Sequence, residues 1–125
     1  MTASTDLRAQ AEQSATFVSA LADFLDLAQA KSDEHYATRF PSLTPEVYSV
    51  EPGQKFVRVV QKRPDDRGGS VHCFVEKATG KIIKAAGYKA PAKRSNGELQ
   101  SQYTIYDLES VAAVFDTYGS YLYLR

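Results

Sequence analysis

The sequence predicts an α+β domain: an antiparallel sheet of four to five strands, with a long N-terminal helix and a shorter C-terminal helix on one face. Three observations carry this. Apolar residues recur every three or four positions over residues 6–30, and again briefly over 107–118. Between them, residues 46–86 switch to β-branched and aromatic runs broken by Pro and Gly. The length of 125 residues fits one domain, 1–125, able to bury its own core.

The first element is the helix over 6–30. Leu7, Ala11, Val18, Leu21, Leu25 and Ala28 form its stripe, and Phe17 and Phe24 widen it. Asp6, Glu12, Asp23 and Asp26 fall mostly off the stripe, and Ser4 or Thr5 can cap the start. From Ser32 to Pro45 the period breaks. Pro41 and Pro45 each push the preceding residue out of helical conformation, so this segment reads as a connector packed down by His35, Tyr36 and Phe40.

An antiparallel meander over 46–86 follows. Val47–Val50 is a short strand, and Glu51-Pro52-Gly53-Gln54 reads as a type II turn with Gly53 at its left-handed position. Phe56–Lys62 and Val71–Val75 are strands separated by the polar turn Arg63–Gly69. Ala78-Thr79-Gly80 is a tight turn in which Gly80 supplies positive φ, and Lys81–Ala86 is the returning strand. Residues 87–102 read as a basic, polar loop, and Tyr103–Tyr106 as a short strand. A helix over 107–118 is capped by Asp107, with Leu108, Val111, Ala112 and Phe115 on one face and Gly119 just beyond its end. The alternation of Tyr121 and Tyr123 with Leu122 and Leu124 predicts a final strand over 120–125.

Charge is segregated along this chain. The stretch Lys55–Arg94 holds eleven cations against three acids, a net of +8. The remaining residues hold four cations against twelve acids, a net of −8. The neutral whole therefore hides a polarised molecule, and a polyanion is the first partner to consider. Strand alternation places Arg58 and Lys62 with Phe56 and Val60 on one face, and Val57, Val59 and Gln61 on the other. Likewise Ile82 and Lys84 share a face opposite Ile83 and Ala85. Val71, Cys73 and Val75 are expected together, opposite His72, Phe74 and Glu76. One face is then apolar and meets the long helix. The other mixes cations with Phe56 and Phe74.

The run Val71-His72-Cys73-Phe74-Val75-Glu76-Lys77-Ala78-Thr79-Gly80-Lys81-Ile82-Ile83-Lys84-Ala85-Ala86-Gly87-Tyr88-Lys89-Ala90-Pro91-Ala92-Lys93 resembles a segment of small tailed-bacteriophage proteins. Those proteins carry an aromatic-rich strand, an acid-Lys-x-x-Gly turn and a Lys-Ala-Ala-x-x-Lys-Ala-Pro-Ala-Lys run. The resemblance covers about a fifth of the chain and leaves out the N-terminal helix. It implies a phage source and expression in an infected bacterium. It implies no particular activity.

Several chemistries find no residues to carry them. Cys73 is the only cysteine, which excludes an internal disulfide, suits a reducing cytosol and leaves zinc short of ligands. His72 and Cys73 are neighbours in a strand, so alternation points them to opposite faces and they cannot act as a nucleophile and base pair. Gly68-Gly69-Ser70 precedes a strand, so it lacks the helix N-terminus of a phosphate-cradling loop. Asp65-Asp66 reads as turn hydrogen bonding. The tyrosines 103, 106, 118, 121 and 123 read as core packing. No apolar run approaches the roughly 20 residues of a membrane span, and the first residues carry no secretory pattern.

The sequence therefore predicts a non-enzymatic, cytoplasmic protein with no cofactor, no metal and no catalytic set. Its expected partner is nucleic acid, single-stranded and with little sequence specificity. Lys77, Lys81, Lys84, Lys89, Lys93, Arg94, Arg58 and Lys62 would meet phosphates, and Tyr88 would stack on a base. The alternatives are a module that engages an acidic host protein surface, a virion component, or a homo-oligomer in which the −8 body of one copy meets the +8 stretch of the next.

Overall fold

The computed structural model describes residues 3–63, 68–99 and 101–123, with side chains described from residue 15 onward. The expectations for Ser4, Thr5, Leu7, Ala11, Asp65, Asp66 and the last two residues lie outside the described residues or side chains.

The first helix, α1, runs Ala3–Arg39, longer than the 6–30 expected. Nothing between Lys31 and Arg39 breaks a helix, and the last backbone bond runs from Phe40 N to Tyr36 O just before Pro41 stops the chain. The buried positions are Phe17, Leu21, Phe24, Ala28 and Ser32, spaced by four, three, four and four residues. Val18, placed on the stripe from sequence, is 64% exposed. From Phe17 to Ser32 is about 22 Å at 1.5 Å per residue, close to the roughly 23 Å of a seven-residue strand. The buried stripe therefore matches the length of the sheet beneath it.

That sheet has five strands in the order β1 to β5, each antiparallel to the next: Val47–Pro52, Phe56–Lys62, Gly69–Glu76, Lys81–Ile83 and Ser101–Thr104. The turn before β2 is not type II. Gly53 is absent from the positive-φ glycines, and its amide donates to Phe56 O at 2.9 Å. Glycine is needed there for another reason: a Cβ would stand 2.7 Å from Phe56 O. A second helix, α2, covers Leu108–Val114, shorter than expected, with Asp107 accepting from Ser110 N. The predicted last strand is instead a 3₁₀ turn, Ser120–Leu122, entered through Gly119 at φ 75°. Gly119 turns the chain back so that Tyr121 and Leu122 both enter the core, which two adjacent residues of a strand could not do.

The main core lies between α1 and one sheet face. It joins Phe17, Leu21, Phe24 and Ala28 to Val57, Val59, Cys73, Val75 and Ile82, with Val111, Phe115, Tyr121 and Leu122 closing one end. The β2–β3 register shifts between Val59 and Val60, leaving His72 without a partner. This bulge turns His72 inward beside Cys73, contrary to simple alternation. His72 stacks on Phe115 at 5.1 Å and shares a 2.7 Å hydrogen bond with the Tyr121 hydroxyl. Burial pushes the Cys73 thiol up and His72 down to about 4, so both are neutral near pH 7. The two side chains lie together in the core, not on opposite faces as alternation predicts.

The β1 edge is blocked, and the β5 edge is tied to the chain end by one side chain. On β1, Gln29 of α1 donates to Glu46 O and accepts from Tyr48 N, and Pro52 has no amide to offer. On β5, Gln102 Nε2 donates to Tyr123 O.

Candidate nucleic-acid interface

The sheet face away from α1 is closed by the chain between β4 and β5. Val60, Phe74, Ile83 and Ala92 are buried but belong to no part of the main core, so they form a small second one. The segment is not an irregular loop. Ala85 bridges Pro91 and Lys93 bridges Leu99, so it folds into two tight turns, one closed by Ala86 N to Ala90 O and the other by Arg94 N to Glu98 O.

The first turn crosses β3 and is pinned by Arg58. The Arg58 Nε donates to Tyr88 O at 2.7 Å, and its Nη1 pairs with Glu51 Oε1 at 3.0 Å. The guanidinium lies 4.6 Å from the Tyr88 ring centre and 5.7 Å from that of Phe74. Tyr88 completes the net by donating its hydroxyl to Glu51 Oε1 at 2.7 Å. That bond, followed by Arg58, holds the Glu51 carboxyl below its ordinary range, and Glu51 in return raises the Tyr88 hydroxyl. Glu51, Arg58 and Tyr88 thus hold the loop in one place.

The expected site residues divide. Lys77 and Lys81 flank Gly80 at the β3–β4 turn, and Lys89, Lys93 and Arg94 lie on the two loop turns, all exposed. Lys62 is exposed at the opposite end of β2, across from Val47. Arg58 is occupied as described, and Tyr88 is half-exposed with its ring over that guanidinium. Lys84 points to the helix side, as its pairing with Ile82 in the alternation requires, and its Nζ sits 4.7 Å from the Tyr123 ring centre. Among the described residues, Arg58–Glu51 is the only ion pair. The hairpin and loop lysines therefore keep their charge unmatched.

Sequence reasoning missed two neighbours of the hairpin turn. Lys55 is brought beside Lys77 by the bond from Lys77 N to Lys55 O, and is exposed. Tyr106 lies on Gly80. No residue pattern signals either contact, because each depends on strand register. Among the described residues no group of three His, Cys, Asp or Glu is placed to hold a metal. No described helix is long and apolar enough to cross a membrane.

The model of a family of unknown function, DUF7717, matches residues 2–124. The chain belongs to that family. The match spans α1, the sheet and the basic loop alike. No curated protein and no solved structure matches the chain.

Proposed function

We propose that this DUF7717 chain is a non-enzymatic accessory protein that binds nucleic acid, with little sequence specificity, through the 77–81 turn and the two loop turns after β4. The resemblance to tailed-phage proteins supports a role in the cytoplasm of an infected bacterium. One observation carries the reading: Lys77, Lys81, Lys89, Lys93 and Arg94 are exposed and none has an acidic partner among the described residues, while the loop that bears three of them is tied down by Arg58. Fixed, unmatched cations meet phosphates without first breaking ion pairs or ordering the chain. No arrangement of donors and acceptors aimed at base edges accompanies them, so binding follows the backbone.

The test is affinity for single- and double-stranded DNA and RNA over a salt series. About five phosphate contacts on a single strand give a slope of about −3.5 in log K against log salt. A Lys81, Lys89 and Lys93 triple alanine variant is expected to flatten that slope by about 2. Wild-type affinity that ignores salt overturns the proposal.

A further inference from the structure

We infer that Tyr106 is the base-stacking residue of this interface, and that its ligand is single-stranded nucleic acid. This rests on the nucleic-acid reading above, keeps the single-stranded ligand expected from the sequence, and adds to it the contact residue. Four tyrosines keep their rings largely in solvent: Tyr88, Tyr106, Tyr118 and Tyr123. Three are already engaged. Tyr88 lies over Arg58, Tyr123 under Lys84, and Tyr118 packs edge-on against His35 and shares a hydrogen bond with it. Tyr106 is 47% exposed and touches no ring or cation, and its hydroxyl has no hydrogen-bond partner among the described residues. Its π-system is the one left open to a ligand.

The ring is also fixed in position. Gly80 has φ 73°, and a Cβ there would stand 2.4 Å from Tyr106 Cε2 and 2.7 Å from Cδ2. Only a bare backbone allows that approach, so the ring rests directly on the turn. The backbone below it is bonded to the same turn: Ile105 N donates to Gly80 O, and Thr104 Oγ1 donates to Gly80 O while accepting from Tyr106 N. Ile105 itself is buried, which leaves Tyr106 little freedom to move away. A ring so held loses little entropy on meeting a base.

Charge around the ring selects the partner. Lys77 and Lys81, three residues before and one after Gly80, are exposed, and Lys81 pairs across the sheet with Thr104, two residues from Tyr106. Asp107, next to the ring in sequence, is exposed but accepts from Ser110 N and Oγ, so the turn cations and the open aromatic face still suit a base with its flanking phosphates. A duplex cannot use it, because both faces of each internal base are already stacked. An unpaired strand can, whether DNA or RNA, since nothing here reads a 2′-hydroxyl.

The experiment compares wild type, Tyr106→Leu and Tyr106→Phe against three probes: a single strand of about 15 nucleotides, its duplex, and inorganic polyphosphate. Leu keeps an apolar cover on Gly80 without a π-face, and Phe keeps the face. Tyr106→Leu is expected to weaken single-strand binding by about 5- to 150-fold, with polyphosphate and duplex binding unchanged. Tyr106→Phe is expected to bind as wild type does. Single-strand binding by Tyr106→Leu at wild-type strength overturns the inference and leaves the nucleic-acid reading standing. So does an equal loss on polyphosphate, or a loss in Tyr106→Phe. Wild type that binds no probe overturns both.

Discussion

The face of the sheet beneath α1 and the face beneath the basic loop differ in what covers them and in what that cover can do. Under α1, large side chains interlock: Phe24 meets Phe115 edge-on at 6.3 Å, and Tyr48, His72 and Tyr121 continue the aromatic layer. Gln61 is matched there, donating to the Tyr48 hydroxyl and to Thr117 O, while the Ser32 hydroxyl on the α1 stripe is buried without a partner among the described residues. Under the loop four side chains outside the main core are buried, and the Arg58 guanidinium adds its bonds to Tyr88 O and Glu51. One face stores the stability. The other presents charge on a cover held by far fewer buried side chains, the kind of region where local opening is expected to cost less.

Charge follows the same division. Asp23, Asp26, Asp33 and Glu34 are exposed on α1, and the exposed loop lysines lie on the opposite side of the sheet. The α1 acids and the loop cations thus lie on opposite sides of the sheet, although Glu51 and Glu98 sit with the loop.

The largest effect expected from this contrast is at Phe24, fully buried at the centre of the α1 face. Phe24→Ala is expected to cost about 3–5 kcal/mol in denaturant unfolding. That is much of the roughly 5–15 kcal/mol a domain of this kind has. A cost near 1 kcal/mol would mean that α1 is not what holds the sheet.

Next comes His72. Burial lowers it from 6.5 to about 4, with the charge of Asp116 opposing weakly. Between those values the unfolded chain binds a proton that the folded chain refuses, so stability drops as pH falls through the window. The full drop is about 3 kcal/mol. His72→Gln is expected to be less stable at pH 7, yet to lose about 3 kcal/mol less than wild type on going to pH 4. An identical acid profile in the two proteins would show that His72 is not held neutral by the core.

Much of this division was legible in the chain itself. Period-two alternation in β2 sends Val57, Val59 and Gln61 inward and Arg58 and Lys62 outward, and the coordinates agree because β2 itself carries no extra residue. The same rule failed on β3, where one additional residue at the bulge reversed His72; a bulge is set by pairing, not by local pattern. Tyr121 and Leu122 imitate a strand in sequence, yet Gly119 bends them into a 3₁₀ turn. Tyr106 stayed hidden for a further reason. Its place on Gly80 depends on the β4–β5 register, a pairing between strands separated by the whole intervening loop. A local pattern fixes what a strand presents. It does not fix which distant turn that strand will end against.

The smallest effect on global stability is expected at Arg58, and it isolates the loop most cleanly. Arg58→Met keeps an apolar stem beside Phe74 but removes the ion pair, the bond to Tyr88 O and the cation over the Tyr88 ring. A partly exposed ion pair of this kind contributes about 0–1 kcal/mol, so the unfolding midpoint should hardly move. Amide exchange at Ala86, whose hydrogen bond closes the loop's first turn, should nevertheless quicken, because that bond opens locally once its anchor is gone. Exchange at Val59 and Val75, buried beneath α1, should stay at the rate set by global unfolding. Should Ala86 and Val75 quicken together, the two covers would be one cooperative unit, and the basic loop could not respond to a ligand on its own.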